Sequence, residues 1–194
     1  MMRSFGDYFS AVNSATEQIS RVALERAFET IDGCSGKLYL MGNGGSAAIA
    51  DHWVCDYMKG INDDTGTFPP VRAISLASNG PLVTALANDL GYENAFTAQL
   101  EYYRCDEDDI VIAVSSSGNS KNIVNGLRRA KGFGSITIAL TGFTGGEAAK
   151  MADISVHVPC NNYGVVEDCH MMILHAISQR IRYRDALDLE NLKL

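Results

Sequence analysis

Two groupings of histidine with carboxylate, and two loops of small residues, hold the groups in this chain that could do chemistry. His52 and Asp56 stand four residues apart, which puts both on one face of a helix. Glu167, Asp168, His170 and His175 gather in a second segment, Val165 to His175. Imidazole nitrogen mixed with carboxylate oxygen suits a divalent cation, zinc first. The same groups can move protons. A single histidine on an apolar helix is more often an ordinary core residue, but two such groupings favour a site.

The first small-residue loop is Gly42-Asn43-Gly44-Gly45-Ser46. It follows the apolar run Leu38 to Met41, and no Gly or Pro then occurs until Gly60. Ser46 reads as a helix N-cap, with Ala47 the first helical residue. Strand, glycine loop and helix form an anion-binding geometry, because the free N–H groups of a helix start point at the loop. The glycines alone also fit a tight turn that merely packs the helix on a sheet. The spacing is not G-x-G-x-x-G, which weakens a dinucleotide reading. The second loop, Ser115-Ser116-Ser117-Gly118-Asn119-Ser120, lies between the apolar run Ile110 to Val114 and the helical stretch Lys121 to Lys131. Four hydroxyls and the N–H groups around Gly118 can surround a phosphate without a cationic side chain. Ligands of open parallel sheets collect at the carboxyl ends of the strands, so both loops open on one crevice.

The elements that must position these groups follow from periodicity. Residues 4 to 31 repeat apolar side chains at three- and four-residue steps and read as one amphipathic N-terminal helix, available to core or to a subunit interface. Apolar runs predict strands at Leu38 to Met41, Val71 to Leu76, Ile110 to Val114, Ser135 to Leu140 and Ile154 to Val158. Helices are predicted from Ala47, over Pro81 to Ala87, Glu93 to Tyr103, Lys121 to Lys131, Glu147 to Met151, and residues 165 to 183. Asn88-Asp89-Leu90-Gly91 reads as an interruption, Gly60 to Pro70 as a loop, and Asp106 to Asp109 as a solvated acidic turn. Strands alternating with helices imply one doubly wound α/β domain over residues 1–194, a five-stranded parallel sheet flanked by helices.

The chain has 194 residues and a net charge of −7. That balance argues against a broad nucleic-acid footprint. Five cysteines with no C-x-x-C pair argue against a disulfide framework and for a reducing, cytoplasmic setting. No apolar stretch approaches the roughly 20 residues of a membrane span, so no membrane partner is expected.

GNGGSAAIADH, ANDLGYE, SSSGNS, IALTG, MADISVHVP and VEDCH occur in this order along the chain. The set resembles the sugar isomerase (SIS) domain family, and within it the phosphoheptose isomerases. The resemblance implies a homotetramer with active sites between subunits, one zinc per subunit, and interconversion of a ketose and an aldose phosphate, sedoheptulose 7-phosphate being the expected substrate. By motif, Ser115, Ser116, Ser117 and Ser120 would hold the phosphate, and Asn43, Gly44, Gly45, Asn88 and Asp89 would contact the sugar. His52, Asp56, Glu167 and His175 would match the metal positions. Glu167 would also face the substrate, and Asp56 and His175 would transfer protons. Three positions depart from the family, which usually has Glu at Asp56, Gln at Glu167 and a basic residue at Gly60, where this chain has Lys59 just before it. The residues 182–194 read as a tail beyond the family core. Helix geometry raises an alternative, since Asp168 stands seven residues before His175, nearly in register, whereas Glu167 is about 80° off. His170 falls on another face and reads as a core or cap residue. The rival function is a non-catalytic relative that binds a sugar phosphate or, like the replication-initiator-associated type, a protein partner.

Overall fold

The central strands are mostly apolar because the sheet is covered on both faces. The computed structural model describes residues 4–61 and 71–183. Its strands are β1 (Lys37–Gly42), β2 (Arg72–Ser75), β3 (Ile110–Ser115), β4 (Ile136–Thr141) and β5 (Ile154–His157). All pair in parallel, in the order β2-β1-β3-β4-β5. Leu40 lies between Ser75 and Ile112, and Val114 lies opposite Leu140. The helices are α1 (Phe5–Glu17), α2 (Arg21–Asp32), α3 (Gly45–Cys55), α4 (Gly80–Leu90), α5 (Ala95–Tyr102), α6 (Lys121–Gly132), α7 (Gly146–Met151) and α8 (Tyr163–Arg182).

Successive strand side chains point to opposite faces. Leu38, Leu40, Ile110, Ile112, Val114 and Leu140 meet Ile31 of α2, Trp53 of α3 and Val166 and Leu174 of α8 in one core. Tyr39, Met41, Val111, Ala113 and Ala139 meet Leu100 of α5, Ile123 and Leu127 of α6 and Ala148 of α7 on the other face. This is the expected doubly wound, five-stranded parallel sheet. Strand order reverses between β1 and β3, so the loops that follow these two strands flank the crevice where such sheets bind ligands.

Four local expectations are corrected. The N-terminal pattern is two helices, not one. Ser20 adopts extended backbone, and its hydroxyl accepts from the Ala23 N–H at 3.3 Å, starting α2 afresh. The α3 helix begins two residues before Ala47, with Gly44 as its N-cap at φ 56° and Ser46 buried in its first turn. The Asn88-Asp89 pair does not interrupt α4 but completes it, and the chain turns only at Gly91, where φ is 85°. The acidic turn is only partly solvated. Asp109 is buried, and its carboxylate accepts from the Lys37 N–H at 2.6 Å and the Asp106 N–H at 3.1 Å. That carboxylate joins the start of β1 to the start of β3. Residues 62–70 of the expected loop and 184–194 of the expected tail lie outside the described residues.

Candidate functional site

The serine loop is shaped by its glycine and braced from behind. Gly118 has φ 65°, and a Cβ there would lie 2.0 Å from the Gly145 carbonyl oxygen, so no other residue fits. The Gly142 N–H donates to the Ser116 carbonyl at 2.8 Å, and the Ala148 N–H to that of Gly118 at 2.9 Å. These bonds turn the hydroxyls of residues 115–120 toward a cavity of about 140 Å³. Ser115, Ser116, Ser117 and Ser120 line it, together with Asn43, Ser46, Tyr163 and Glu167. No lysine or arginine is among the described residues lining it. The Ser116 hydroxyl is buried without a hydrogen-bond partner, a group that an oxyanion in the cavity would satisfy.

The histidine–carboxylate site forms at the junction of α3 and α8. Trp53 is fully buried and its indole N–H donates to the Leu174 carbonyl at 2.8 Å. That bond fixes the register of the two helices and so brings the neighbours His52 and His175 together. At Asp56 the helix changes to a π-turn, Asp56–Gly60, closed by the Ile61 N–H on the Asp56 carbonyl at 3.2 Å. The three ligand atoms form a near-equilateral triangle. His52 Nε2 lies 3.0 Å from His175 Nε2, and Asp56 Oδ2 lies 3.2 Å and 3.1 Å from the two. Two neutral imidazoles that both donate to one carboxylate would point N–H at N–H. A cation removes that conflict by accepting a lone pair from each nitrogen. Ligands about 2.0–2.1 Å from a tetrahedral zinc stand roughly 3.3 Å apart, close to the spacing here. His52, Asp56 and His175 therefore fit a metal, and the triangle opens on a cavity of about 430 Å³ that Ser178, Gln179 and Arg182 also line.

The remaining expected residues go elsewhere. Glu167 is not in the triangle. It stands two turns before His175, about 12 Å along α8. Its carboxylate packs where a side chain on Gly45 would be, since a Cβ there would lie 2.5 Å from Glu167 Oε2. Glu167 thus lines the serine cavity and lies outside the triangle. Asp168 is no substitute, because it accepts from the Tyr8 hydroxyl at 2.6 Å and ties α1 to α8. That bond pushes the Tyr8 phenol up to about 12. His170 is a core residue, and burial pushes it down to about 4 although the Thr141 backbone pulls the other way. Asn88 and Asp89 are exposed on the last turn of α4, where the Asn88 amide donates to Asp89 at 2.8 Å, and neither lines the two cavities. Gly44 and Gly45 start α3 beside Asn43.

Sequence reasoning missed Ser46, Tyr163, Tyr92 and Asn122. Tyr92 and Asn122 both hydrogen-bond Asn43. One signal was available. Asn122 shares the buried stripe of α6 with Ile123, Gly126, Leu127 and Ala130, and a polar amide on such a stripe needs partners.

Residues 4–142 match the SIS domain family. Over 141 residues the chain is 41% identical to the phosphoheptose isomerase of Sulfurimonas denitrificans, an alignment covering 73% of this chain and 70% of the relative. The fold is similar to the solved structure of a phosphoheptose isomerase from Francisella tularensis, with TM-score 0.83, 30% identity, and coverage of 91% of this chain and 95% of that one. A second such structure, from Neisseria gonorrhoeae, gives TM-score 0.81 at 28% identity over 91% of this chain and 94% of that one.

Proposed function

The chain belongs to the SIS domain family, and from that premise we propose that it is a sugar-phosphate isomerase, converting a ketose to an aldose with sedoheptulose 7-phosphate as substrate. The observation that carries the reading is the pairing of two unlike sites on α8. A hydroxyl-lined cavity with no cationic side chain among its described lining lies at its start, and a His-Asp-His triangle lies two turns on. Binding at one end and proton transfer at the other is what a phosphorylated sugar chain requires. An adaptor that only bound a protein would need no such triangle.

Ser115, Ser116, Ser117 and Ser120 hold the phosphate with the N–H groups around Gly118. Asn43, Gly44, Gly45 and Glu167 line the path of the sugar. The carbonyl end then reaches the triangle. Asp56 takes the proton from C1 while the carbonyl oxygen on C2 gains one from His175, giving an enediol. Return of a proton to C2, with loss of the hydroxyl proton at C1, completes the aldose. A zinc ion held by His52 Nε2, Asp56 Oδ2 and His175 Nε2 would polarise the carbonyl and stabilise negative charge developing on its oxygen, and this leaves the other Asp56 oxygen and the other His175 nitrogen for the protons.

The working form is a homotetramer, consistent with the exposed phenylalanines Phe5 and Phe9 on α1. Five unpaired thiols suit a cytoplasmic location. No helix among the described residues is long and apolar enough to cross a membrane. The test is to incubate zinc-loaded protein with sedoheptulose 7-phosphate and follow the aldose by NMR. Absence of the aldose under conditions where the sugar phosphate binds would refute the activity.

A further inference from the structure

Asn43 follows β1 and Asn122 opens α6 behind β3, so a bond between them spans the two loops at the point where strand order reverses. Their side-chain amides form a closed ring. Asn43 Nδ2 donates to Asn122 Oδ1 at 2.9 Å, and Asn122 Nδ2 donates to Asn43 Oδ1 at 2.8 Å. Such a ring by itself has two equivalent arrangements, related by flipping both amides. The backbone removes the ambiguity. The Ile123 N–H donates to Asn122 Oδ1 at 3.0 Å, and a backbone N–H cannot accept. Asn122 therefore turns oxygen toward Asn43, and Asn43 must answer with nitrogen.

Tyr92 completes the arrangement. Its hydroxyl donates to Asn43 Oδ1 at 2.7 Å, which fills the second lone pair of that oxygen. What remains on Asn43 is one N–H, on a residue that lines the serine cavity. Asn122 is 2% exposed, so its half of the ring is shielded from water and its polarity is costly to reverse.

We infer that Asn122 and Tyr92 are positioning residues that make Asn43 a hydrogen-bond donor to a sugar oxygen, so that the cavity tells a sugar phosphate from bare phosphate. The inference rests on the reading that the cavity takes a sugar phosphate. The serine loop supplies the donors to phosphate, and Asn43, arriving from the opposite loop, is left for the carbon chain. A carbonyl, ether or hydroxyl oxygen accepts from it. A ligand group that can only donate finds no partner there.

The test is calorimetry on the full chain with sedoheptulose 7-phosphate and inorganic phosphate as separate titrants. Asn122→Leu is expected to weaken the sugar phosphate about tenfold and Tyr92→Phe, which leaves the Asn122 anchor in place, about threefold, while inorganic phosphate changes less than about twofold in either. Tyr92 is half exposed, so its variant keeps the fold. Circular dichroism checks Asn122→Leu, and if that variant does not fold the Tyr92 variant decides. Proportional weakening of both ligands is what a merely structural role would give, and it overturns the inference. Unchanged binding of both, or a wild type that prefers inorganic phosphate, overturns it too. Because binding is read, a chain that discriminates between the ligands yet does not isomerise would refute the proposed activity and leave this inference standing.

Discussion

In the proposed scheme Asp56 both holds a cation and takes a proton from carbon. The side chain is aspartate, one methylene shorter than glutamate, and its Oδ2 already touches both imidazoles. Asp56→Asn keeps a carbonyl oxygen that can ligate but loses the base. Metal content by mass spectrometry is expected to stay within about twofold of wild type while turnover drops on the order of 100-fold. His175→Ala removes a nitrogen ligand, so both are expected to fall. Full turnover in Asp56→Asn, or in wild type stripped by chelator, would rule this scheme out. Glu167 poses a different question. Its carboxylate faces a phosphate-sized cavity whose described lining has no lysine or arginine. Glu167→Gln is expected to tighten inorganic phosphate about tenfold at low ionic strength and less in salt. No change at low salt would place the carboxylate away from the bound anion.

Among the elements, α8 does the most sorting. Successive residues project at 100° intervals, so one short stretch sends four polar groups to four surroundings. Glu167 goes to the serine cavity, Asp168 to Tyr8, His170 to the core and His175 to the triangle. The core histidine sets a pH dependence. In the unfolded chain its imidazole takes a proton as pH falls through the ordinary value of 6.5, whereas the folded one resists until about 4. Its contribution is therefore full above pH 6.5 and is lost as pH falls toward 4. The loss by pH 5 is about 2 kcal/mol, from the linkage of the two values. Urea unfolding at pH 7 and pH 5 measures it. His170→Phe, which keeps an aromatic ring in the core, is expected to flatten that part of the profile. An identical drop in both proteins would assign the acid sensitivity to other groups.

For the molecule as a whole, the N-terminal helices serve two masters. Ala15, Ile19, Ala27 and Ile31 are buried within the chain, while Phe5 and Phe9 are 86% and 63% exposed one turn apart on α1. In the proposed tetramer this is the face taken as the subunit contact. Removing both helices would strip the core, so point substitution is the cleaner probe. Phe5→Asp with Phe9→Asp is expected to lower the oligomeric state in light scattering with little change in melting temperature. A wild-type monomer at micromolar concentration would defeat the tetramer.

What was legible in the sequence is what depends on neighbours along the chain. Alternating strands and helices, the glycine and serine loops at strand ends, and the His52–Asp56 pair follow from steric freedom, capping and helical spacing, all of which act within a few residues. The tertiary structure decided where side chains from distant segments meet. Spacing could not tell that Glu167 would settle on Gly45 rather than join the triangle, because that depends on how α8 lies against the start of α3. Nor could it tell that Asp109 would be buried, because one of its two backbone donors is Lys37, seventy-two residues away. Asn122 looked like one more residue of an amphipathic helix. Its partner Asn43 reaches it only because β1 and β3 pair side by side, and such pairing is set by packing between segments that no local pattern records.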